Sequence, residues 1–185
     1  MSISPAASFA STLLLGGARS GKSGMAVSLA VAMGGERFFI ATARASDVEM
    51  ADRIARHQAE RESGWRTVEE PLDLPRAIRE TAGEDRVLVA DCLTLWLSNL
   101  LLAGRDAQFE TRALAAAVRN APGKLIIVSN EVGSGIVPEN ALARTFRDAQ
   151  GRLNQTMAAC CDRVVLVTAG LGQVLKPSAN ILMSE

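Results

Sequence analysis

Residues 16–23 read Gly16-Gly17-Ala18-Arg19-Ser20-Gly21-Lys22-Ser23, which is the G-x-x-x-x-G-K-[ST] pattern of a phosphate-binding loop. Its glycines let backbone N–H groups turn inward around phosphate oxygens, Lys22 can reach the outer phosphates, and the Ser23 hydroxyl can hold Mg²⁺. The apolar run 12–15 before the loop predicts a buried strand, and residues 23–33 after it predict a helix. This strand–loop–helix setting predicts a site for a nucleoside triphosphate.

The length and charge of the chain indicate how many domains it has and which partners are not expected. A chain of 185 residues fits one domain, so we expect a single catalytic domain over residues 12–185, preceded by a flexible lead-in at residues 1–11. The 20 basic and 20 acidic side chains balance, which gives no electrostatic reason to expect nucleic acid or an anionic membrane as a partner.

The remaining composition favours a cytoplasmic protein. Three cysteines without a C-x-x-C spacing predict neither a disulfide framework nor a zinc site. The N-terminal segment lacks the basic start of an export signal. The longest apolar stretch, residues 93–103, is shorter than the roughly 18 residues that a membrane span needs. We therefore expect no membrane span.

Two further strands are predicted to end beside the phosphate loop. Residues 37–42 predict a second buried strand with Ala41, Thr42 and Ala43 at its carboxyl end, and residues 86–91 predict a strand that ends in Asp91. Open α/β sheets bind ligands at the carboxyl ends of their strands, so Asp91 is expected to hold Mg²⁺ together with the loop serine. The alternative, in which Asp91 caps the next helix, stays open.

The rest of the chain alternates between strand and helix patterns. Strands are predicted at residues 124–130, 163–168 and 173–176, an extended segment at 65–71, a turn at 170–172, and helices at 72–81, 93–103, 107–119 and 141–161. This order predicts a mainly parallel sheet with helices on both faces, the α/β architecture of nucleotide-binding NTPases. The polar, glycine-containing segment 131–140 follows a strand and is a candidate binding lid.

His57 is the only histidine of the chain. The capping box at residues 46–49 predicts a helix that runs to about residue 63, on which Arg53, His57 and Arg61 follow one another at a spacing of four. A neutral imidazole can attack phosphorus, and the neighbouring guanidinium groups stabilise phosphate charge and favour the unprotonated ring. A purely structural histidine is the competing interpretation.

Five motifs in this order carry a family resemblance. They are the octet 16–23; Ala41-Thr42-Ala43; Asp47-x-Glu49-Met50-x-x-Arg53-Ile54-x-x-His57-x-x-x-Arg61-x-x-x-Trp65; Asn130-Glu131-Val132-Gly133-x-Gly135-Ile136-Val137-Pro138; and Arg147-Asp148-x-x-Gly151-x-x-Asn154-Gln155. Together they resemble the bifunctional adenosylcobinamide kinase / adenosylcobinamide-phosphate guanylyltransferase family of cobalamin biosynthesis. The histidine and Asn-Glu-Val-Gly motifs are far more specific than the phosphate loop.

The resemblance implies a RecA-like P-loop NTPase domain, two reactions and a homotrimer. The enzyme would phosphorylate the aminopropanol hydroxyl of adenosylcobinamide from ATP or GTP, and would then transfer GMP from GTP onto that phosphate through a guanylylated histidine. His57 matches that histidine, and residues 93–102 could serve subunit contact. Lys22 is expected to be catalytic as well, because both reactions need the triphosphate to be held. The nucleotide contacts of the family match Gly16, Gly17, Ala18, Arg19, Ser20, Gly21, Lys22, Ser23, Ala41, Thr42, Ala43, Gln58, Ala59, Glu60, Arg61, Glu69 and Asp91.

Two other functions compete with this interpretation. The first is a simple small-molecule kinase in which His57 is structural. The second is a non-catalytic NTP-binding module similar to recombinase cores. The zero net charge, two tryptophans and five phenylalanines argue against a surface that binds a nucleic acid strand.

Overall fold

The computed structural model describes residues 9–43 and 63–176. Within these residues seven strands form one sheet, and five helices pack against it. The strands are β1 (Ser11–Gly16), β2 (Glu36–Ala41), β3 (Trp65–Glu69), β4 (Arg86–Asp91), β5 (Lys124–Asn130), β6 (Arg163–Thr168) and β7 (Leu171–Lys176). The helices are α1 (Lys22–Met33), α2 (Leu74–Thr81), α3 (Leu93–Leu102), α4 (Ala107–Asn120) and α5 (Ala141–Cys160).

The strand order across the sheet is β3-β2-β4-β5-β1-β6-β7. Every neighbouring pair is parallel except β6 and β7, which form an antiparallel hairpin. The carboxyl ends of β1, β2, β3, β4 and β5 therefore meet at one edge of the sheet. The predicted, mainly parallel α/β architecture is confirmed.

Alternating side chains of the buried strands build a core on each face of the sheet. Leu13 packs on the side covered by α2, α3, α4 and α5, whereas its neighbour Leu14 packs on the side covered by α1. The same alternation runs through β4 and β5, because successive side chains of a strand point to opposite faces. Helices cover both faces, as the sequence predicts.

Most element boundaries differ from the sequence prediction by one or two residues, and two of the differences have a visible cause. Strand β1 begins at Ser11, which the prediction placed in the lead-in, because the Ser11 N–H and hydroxyl both donate to Asp162 Oδ2 (2.9 and 3.0 Å). The turn predicted at 170–172 is wrong, since β7 already begins at Leu171. Ala169 and Gly170, both with positive φ (52° and 77°), close the hairpin alone, and alanine gives no sequence signal for that conformation.

Part of the prediction lies outside the described residues. This holds for the helix predicted from residue 46 to about residue 63, and for five predicted site residues on it: His57, Gln58, Ala59, Glu60 and Arg61. The chain leaves β2 at the carboxyl edge of the sheet, where Ala43 is the last described residue before this stretch, and it is described again from Ser63, just before β3.

Candidate active site

The phosphate loop connects the end of β1 to the start of α1, and close backbone contacts fix its path. A Cβ atom at Gly16 would overlap the Val167 carbonyl oxygen, and one at Gly21, whose φ is 99°, would lie 3.1 Å from Gly170 Cα. The Gly170 N–H also donates to the Ser20 carbonyl (2.8 Å). Glycine is therefore required at both positions, and the β6–β7 turn supports the loop from behind.

Helix α1 begins directly after this loop. Its N-cap residue is Gly21, which has no side chain to accept from the first N–H groups of the helix, and its first turn carries no acidic residue. A helix N-terminus with free N–H groups favours an anion, through both hydrogen bonds and the helix dipole. The loop therefore has the backbone arrangement that the sequence predicts for phosphate.

Lys22 lies folded back over the loop. Only 6% of the residue is exposed, and Nζ donates to the Gly17 carbonyl (2.6 Å), with Ser20 Oγ at 3.4 Å. Burial lowers the pKa of Lys22, and the nearby carboxylate of Asp91 opposes that shift. Burial removes water that would stabilise the charged ammonium group, and a bound phosphate group would stabilise that charge instead.

Ser23 and Asp91 meet as the sequence predicts. The Ser23 hydroxyl donates to Asp91 Oδ2 at 3.3 Å, although β5 lies between β4, which ends in Asp91, and β1, which precedes the loop. The helix-capping alternative does not apply, because Cys92 is the N-cap of α3. A hydroxyl and a carboxylate are hard oxygen donors that suit Mg²⁺, which commonly takes one or two protein ligands and completes its shell with phosphate and water.

The described part of the chain offers no dedicated all-protein metal site. Within residues 9–43 and 63–176, no three His, Cys, Asp or Glu side chains cluster closely enough to hold an ion. A magnesium ion held by Ser23 and Asp91 would therefore depend on the phosphates of a bound nucleotide.

Thr42 lies at the same edge, but its side chain is occupied by the protein itself. The residue is fully buried, and its hydroxyl donates to the Cys92 carbonyl (2.8 Å) and accepts from the Cys92 N–H (2.9 Å). Its own carbonyl accepts from Asn99 Nδ2 (2.8 Å). Thr42 thus fixes the end of β2 against the end of β4, a role that the sequence analysis did not predict.

The neighbours of Thr42 remain accessible at this edge. Ala41 pairs with Asp91 on one side and with Glu69 on the other, so the ends of β2, β3 and β4 are aligned. Glu69 is exposed, and Ala41 and Ala43 are half-buried. The structure therefore brings together the described members of the predicted set, from the phosphate loop to Glu69, along one edge.

Asn130 lies beside the phosphate loop, although it is not among the predicted site residues. It ends β5, the strand between β1 and β4, and it pairs with Gly16 in the parallel register. The signal was present, since Asn130 is a polar residue directly after a buried apolar run, the same pattern that drew attention to Asp91. What the sequence did not show was that β5 lies between the two strands that carry the site.

The candidate lid begins at the phosphate loop. The Glu131 N–H donates to the Gly16 carbonyl (3.0 Å), and Arg144 Nη1 from α5 holds the far end through the Pro138 carbonyl (2.9 Å). Between these anchors the segment is exposed, and Ile136 is 97% exposed. Its role as a lid stays a prediction.

Comparison with solved structures supports the fold. The chain is similar to the assembled ATPase EscN from the enteropathogenic E. coli type III secretion system, with a TM-score of 0.56, 11% identity, and coverage of 87% of this chain and 43% of that chain. It is also similar to a prototypical ATPase from the type III secretion system of pathogenic bacteria, with a TM-score of 0.53, 10% identity, and coverage of 89% and 56%. At such identities the likeness concerns the fold alone, and the predicted RecA-like P-loop fold is confirmed.

No helix within the described ranges is long and apolar enough to cross a membrane.

Comparison with known sequences gives the family. The chain is 48% identical over 166 residues to the bifunctional adenosylcobalamin biosynthesis protein CobP of Pseudomonas aeruginosa, covering 89% of this chain and 96% of that protein. It is 40% identical over 179 residues to the bifunctional adenosylcobalamin biosynthesis protein CobU of Salmonella typhimurium, covering 89% and 98%. Residues 12–175 match the family described as "CobU: Cobinamide kinase / cobinamide phosphate guanyltransferase". The chain therefore belongs to the cobinamide kinase / cobinamide phosphate guanyltransferase family.

Proposed function

We propose that the phosphate loop and Asp91 serve both reactions of this bifunctional enzyme, whereas His57 serves only the guanylyl transfer. Family membership makes the chain a kinase and guanylyltransferase of cobalamin biosynthesis, which sets aside a simple kinase and a non-catalytic module. The main support for separate roles of the phosphate loop and His57 is structural. Ser23 and Asp91 lie in contact, next to the buried Lys22. This arrangement suits the outer phosphates of a nucleotide and leaves the α-phosphate to another group.

In the kinase reaction, the hydroxyl oxygen of the aminopropanol arm attacks the γ-phosphorus of ATP or GTP. The bond from that phosphorus to the bridging oxygen breaks, the nucleoside diphosphate leaves, and the hydroxyl proton is released. The loop N–H groups and Lys22 hold the phosphates in line and stabilise the charge that develops on them. Mg²⁺ held by Ser23 and Asp91 would neutralise further charge on the same oxygens.

In the guanylyl transfer, the imidazole of His57 attacks the α-phosphorus of GTP and pyrophosphate leaves. A phosphate oxygen of adenosylcobinamide phosphate then attacks the same phosphorus, which gives adenosylcobinamide-GDP and frees the imidazole. The family resemblance and the position of Ala43 at the carboxyl edge support this role, because the segment with His57 follows Ala43 directly. We expect Glu69, which is exposed at the end of β3, to accept a hydrogen bond from the guanine edge or a ribose hydroxyl.

The Asp91→Asn variant tests the shared part of the site. We expect the Mg²⁺ concentration for half-maximal activity to rise by about tenfold or more in both reactions, because the charged oxygen ligand is lost. Both reactions are assayed over a magnesium titration. Asp106→Asn is the matched control, since Asp106 caps α4 and asparagine caps a helix equally well. An unchanged magnesium requirement in Asp91→Asn would exclude the proposed metal role.

We further propose that the enzyme is a cytoplasmic homotrimer. The inner face of α3 is not available for subunit contact, since Trp96 is fully buried and its Nε1 donates to the Leu72 carbonyl (2.9 Å). Leu102 and Phe109, near the α3–α4 connection, are 80% and 59% exposed and suit an interface. Sedimentation equilibrium is expected to give the mass of three chains, and the mass of one chain at working concentration would contradict the proposal.

A further inference from the structure

Asn130 lies between the two halves of the phosphate site. In the register of the sheet it pairs with Gly16 of the phosphate loop, while Val128, two residues earlier on the same strand, pairs with Asp91. Alternation along β5 places Ile126 and Val128 on the α1 face, so the side chain of Asn130 belongs to that face as well. Lys22 and Ser23 begin α1 and lie on the same side.

The backbone of Asn130 is held by three elements. Its N–H donates to Thr94 Oγ1 of α3 (2.9 Å), and its carbonyl accepts from Asn154 Nδ2 of α5 (3.0 Å). The next N–H in the chain, that of Glu131, donates to the Gly16 carbonyl (3.0 Å). Because these bonds fix the backbone from both sides, the position of the Asn130 side chain is set before any ligand binds.

A buried amide cluster, formed by Ser129, Gln150 and Asn154, supports this position. Gln150 Nε2 donates to Ser129 Oγ (2.9 Å) and to Asn154 Oδ1 (3.0 Å), and the Ser129 hydroxyl donates to Asn154 Oδ1 (2.7 Å). Gln150 Oε1 is buried without a hydrogen-bond partner in the described part of the chain. Burying an unpaired polar atom costs free energy, and apolar side chains at these positions would avoid that cost. The cluster is therefore better explained by its effect on the orientation of the end of β5.

Among residues 9–43 and 63–176, the side-chain amide of Asn130 makes only a weak contact. Its Nδ2 lies 4.0 Å from Cys92 Sγ, and sulfur is a weak hydrogen-bond acceptor. The two N–H donors of this amide are therefore available to a stronger acceptor in the site.

We propose that Asn130 is a further catalytic residue, whose carboxamide donates a hydrogen bond to the terminal phosphate of the bound nucleotide. This inference rests on the proposed function of the phosphate loop. A fixed donor aimed at a charged oxygen forms a charge-assisted hydrogen bond and needs no reorganisation when charge develops. In the kinase reaction the bond reaches the γ-phosphoryl group, and in the guanylyl transfer it reaches the departing pyrophosphate.

The test compares nucleotides that differ only in the terminal phosphate. Binding of α,β-methylene GTP and α,β-methylene GDP is measured by calorimetry without corrinoid, since the methylene bridge blocks guanylylation. We expect Asn130→Ala to weaken the triphosphate analogue by about tenfold and the diphosphate analogue by less than about twofold. Asn130→Asp keeps the shape of the side chain but adds a negative charge, so it should weaken the triphosphate analogue further.

The control is Asn120→Ala, which removes an amide that donates to the Ala116 carbonyl on the exposed end of α4. It should leave both affinities unchanged. Equal weakening of both analogues in the Asn130 variants, or no weakening, would overturn the proposal. If Asn130→Ala does not fold, Asn130→Asp decides the question, because its shape matches the native residue.

The outcome is independent of the histidine chemistry. The binding comparison involves neither His57 nor a corrinoid, so its failure leaves the bifunctional assignment intact. A missing GMP adduct would, in turn, leave the ratio of the two affinities unaffected.

Discussion

Replacing His57 with alanine is expected to lower guanylyl transfer by on the order of 10⁴-fold or more, because the nucleophile that carries GMP is lost. Phosphorylation of adenosylcobinamide should stay within about threefold of wild type, since the γ-phosphoryl group passes directly to the hydroxyl oxygen. The two reactions are assayed separately, one with adenosylcobinamide and ATP, the other with adenosylcobinamide phosphate and GTP.

The control for this experiment is His57→Asn, which keeps a polar side chain of similar size but lacks the nucleophilic nitrogen. It should show the same selective loss as His57→Ala. If either variant, shown to be folded by circular dichroism, lost both activities alike, His57 would support the whole site rather than carry GMP.

Lys22→Ala is expected to lower both reactions by about 10²–10³-fold, because each needs the outer phosphates to be held and their developing charge stabilised. The same assays measure this effect. Lys124→Ala is the matched control, since Lys124 Nζ also donates to a backbone carbonyl, that of Met33, but lies at the amino end of β5. A loss in only one reaction, or a loss no larger than in Lys124→Ala, would contradict the shared role of Lys22.

The same variant should change the pH dependence of stability. Burial lowers the pKa of Lys22 below its ordinary value of 10.5, so between the two values the unfolded chain binds more protons than the folded protein. The free energy of unfolding of the nucleotide-free protein therefore gains a contribution that rises with pH through this window. Urea unfolding at a series of alkaline pH values should show this contribution in wild type but not in Lys22→Ala.

Local sequence patterns were enough to predict those parts of the site that lie within one strand and the loop after it. The phosphate loop follows from one octet, and the Ser23–Asp91 pair follows from two strands whose carboxyl ends must meet at one edge. The chain alternation that predicts the parallel sheet is equally local. These predictions needed no knowledge of which strands are neighbours.

The roles that depend on strand order could not be predicted. Thr42 forms hydrogen bonds with Cys92 because β2 and β4 are adjacent, and Asn130 lies beside the phosphate loop because β5 lies between β1 and β4. Residues 50 or more positions apart create these contacts through the register of the sheet. The β6–β7 turn was misplaced for a local reason, since Ala169 adopts a positive φ that alanine rarely takes.

The central claim is that one phosphate loop presents GTP to a histidine nucleophile. Its most direct test is to incubate the wild-type enzyme with GTP and no corrinoid, digest it with a protease, and locate the GMP by mass spectrometry. The account predicts GMP on His57, pyrophosphate released in equal amount, and loss of the adduct when adenosylcobinamide phosphate is added. GMP bound to another residue, or no adduct while guanylyl transfer proceeds, would contradict it.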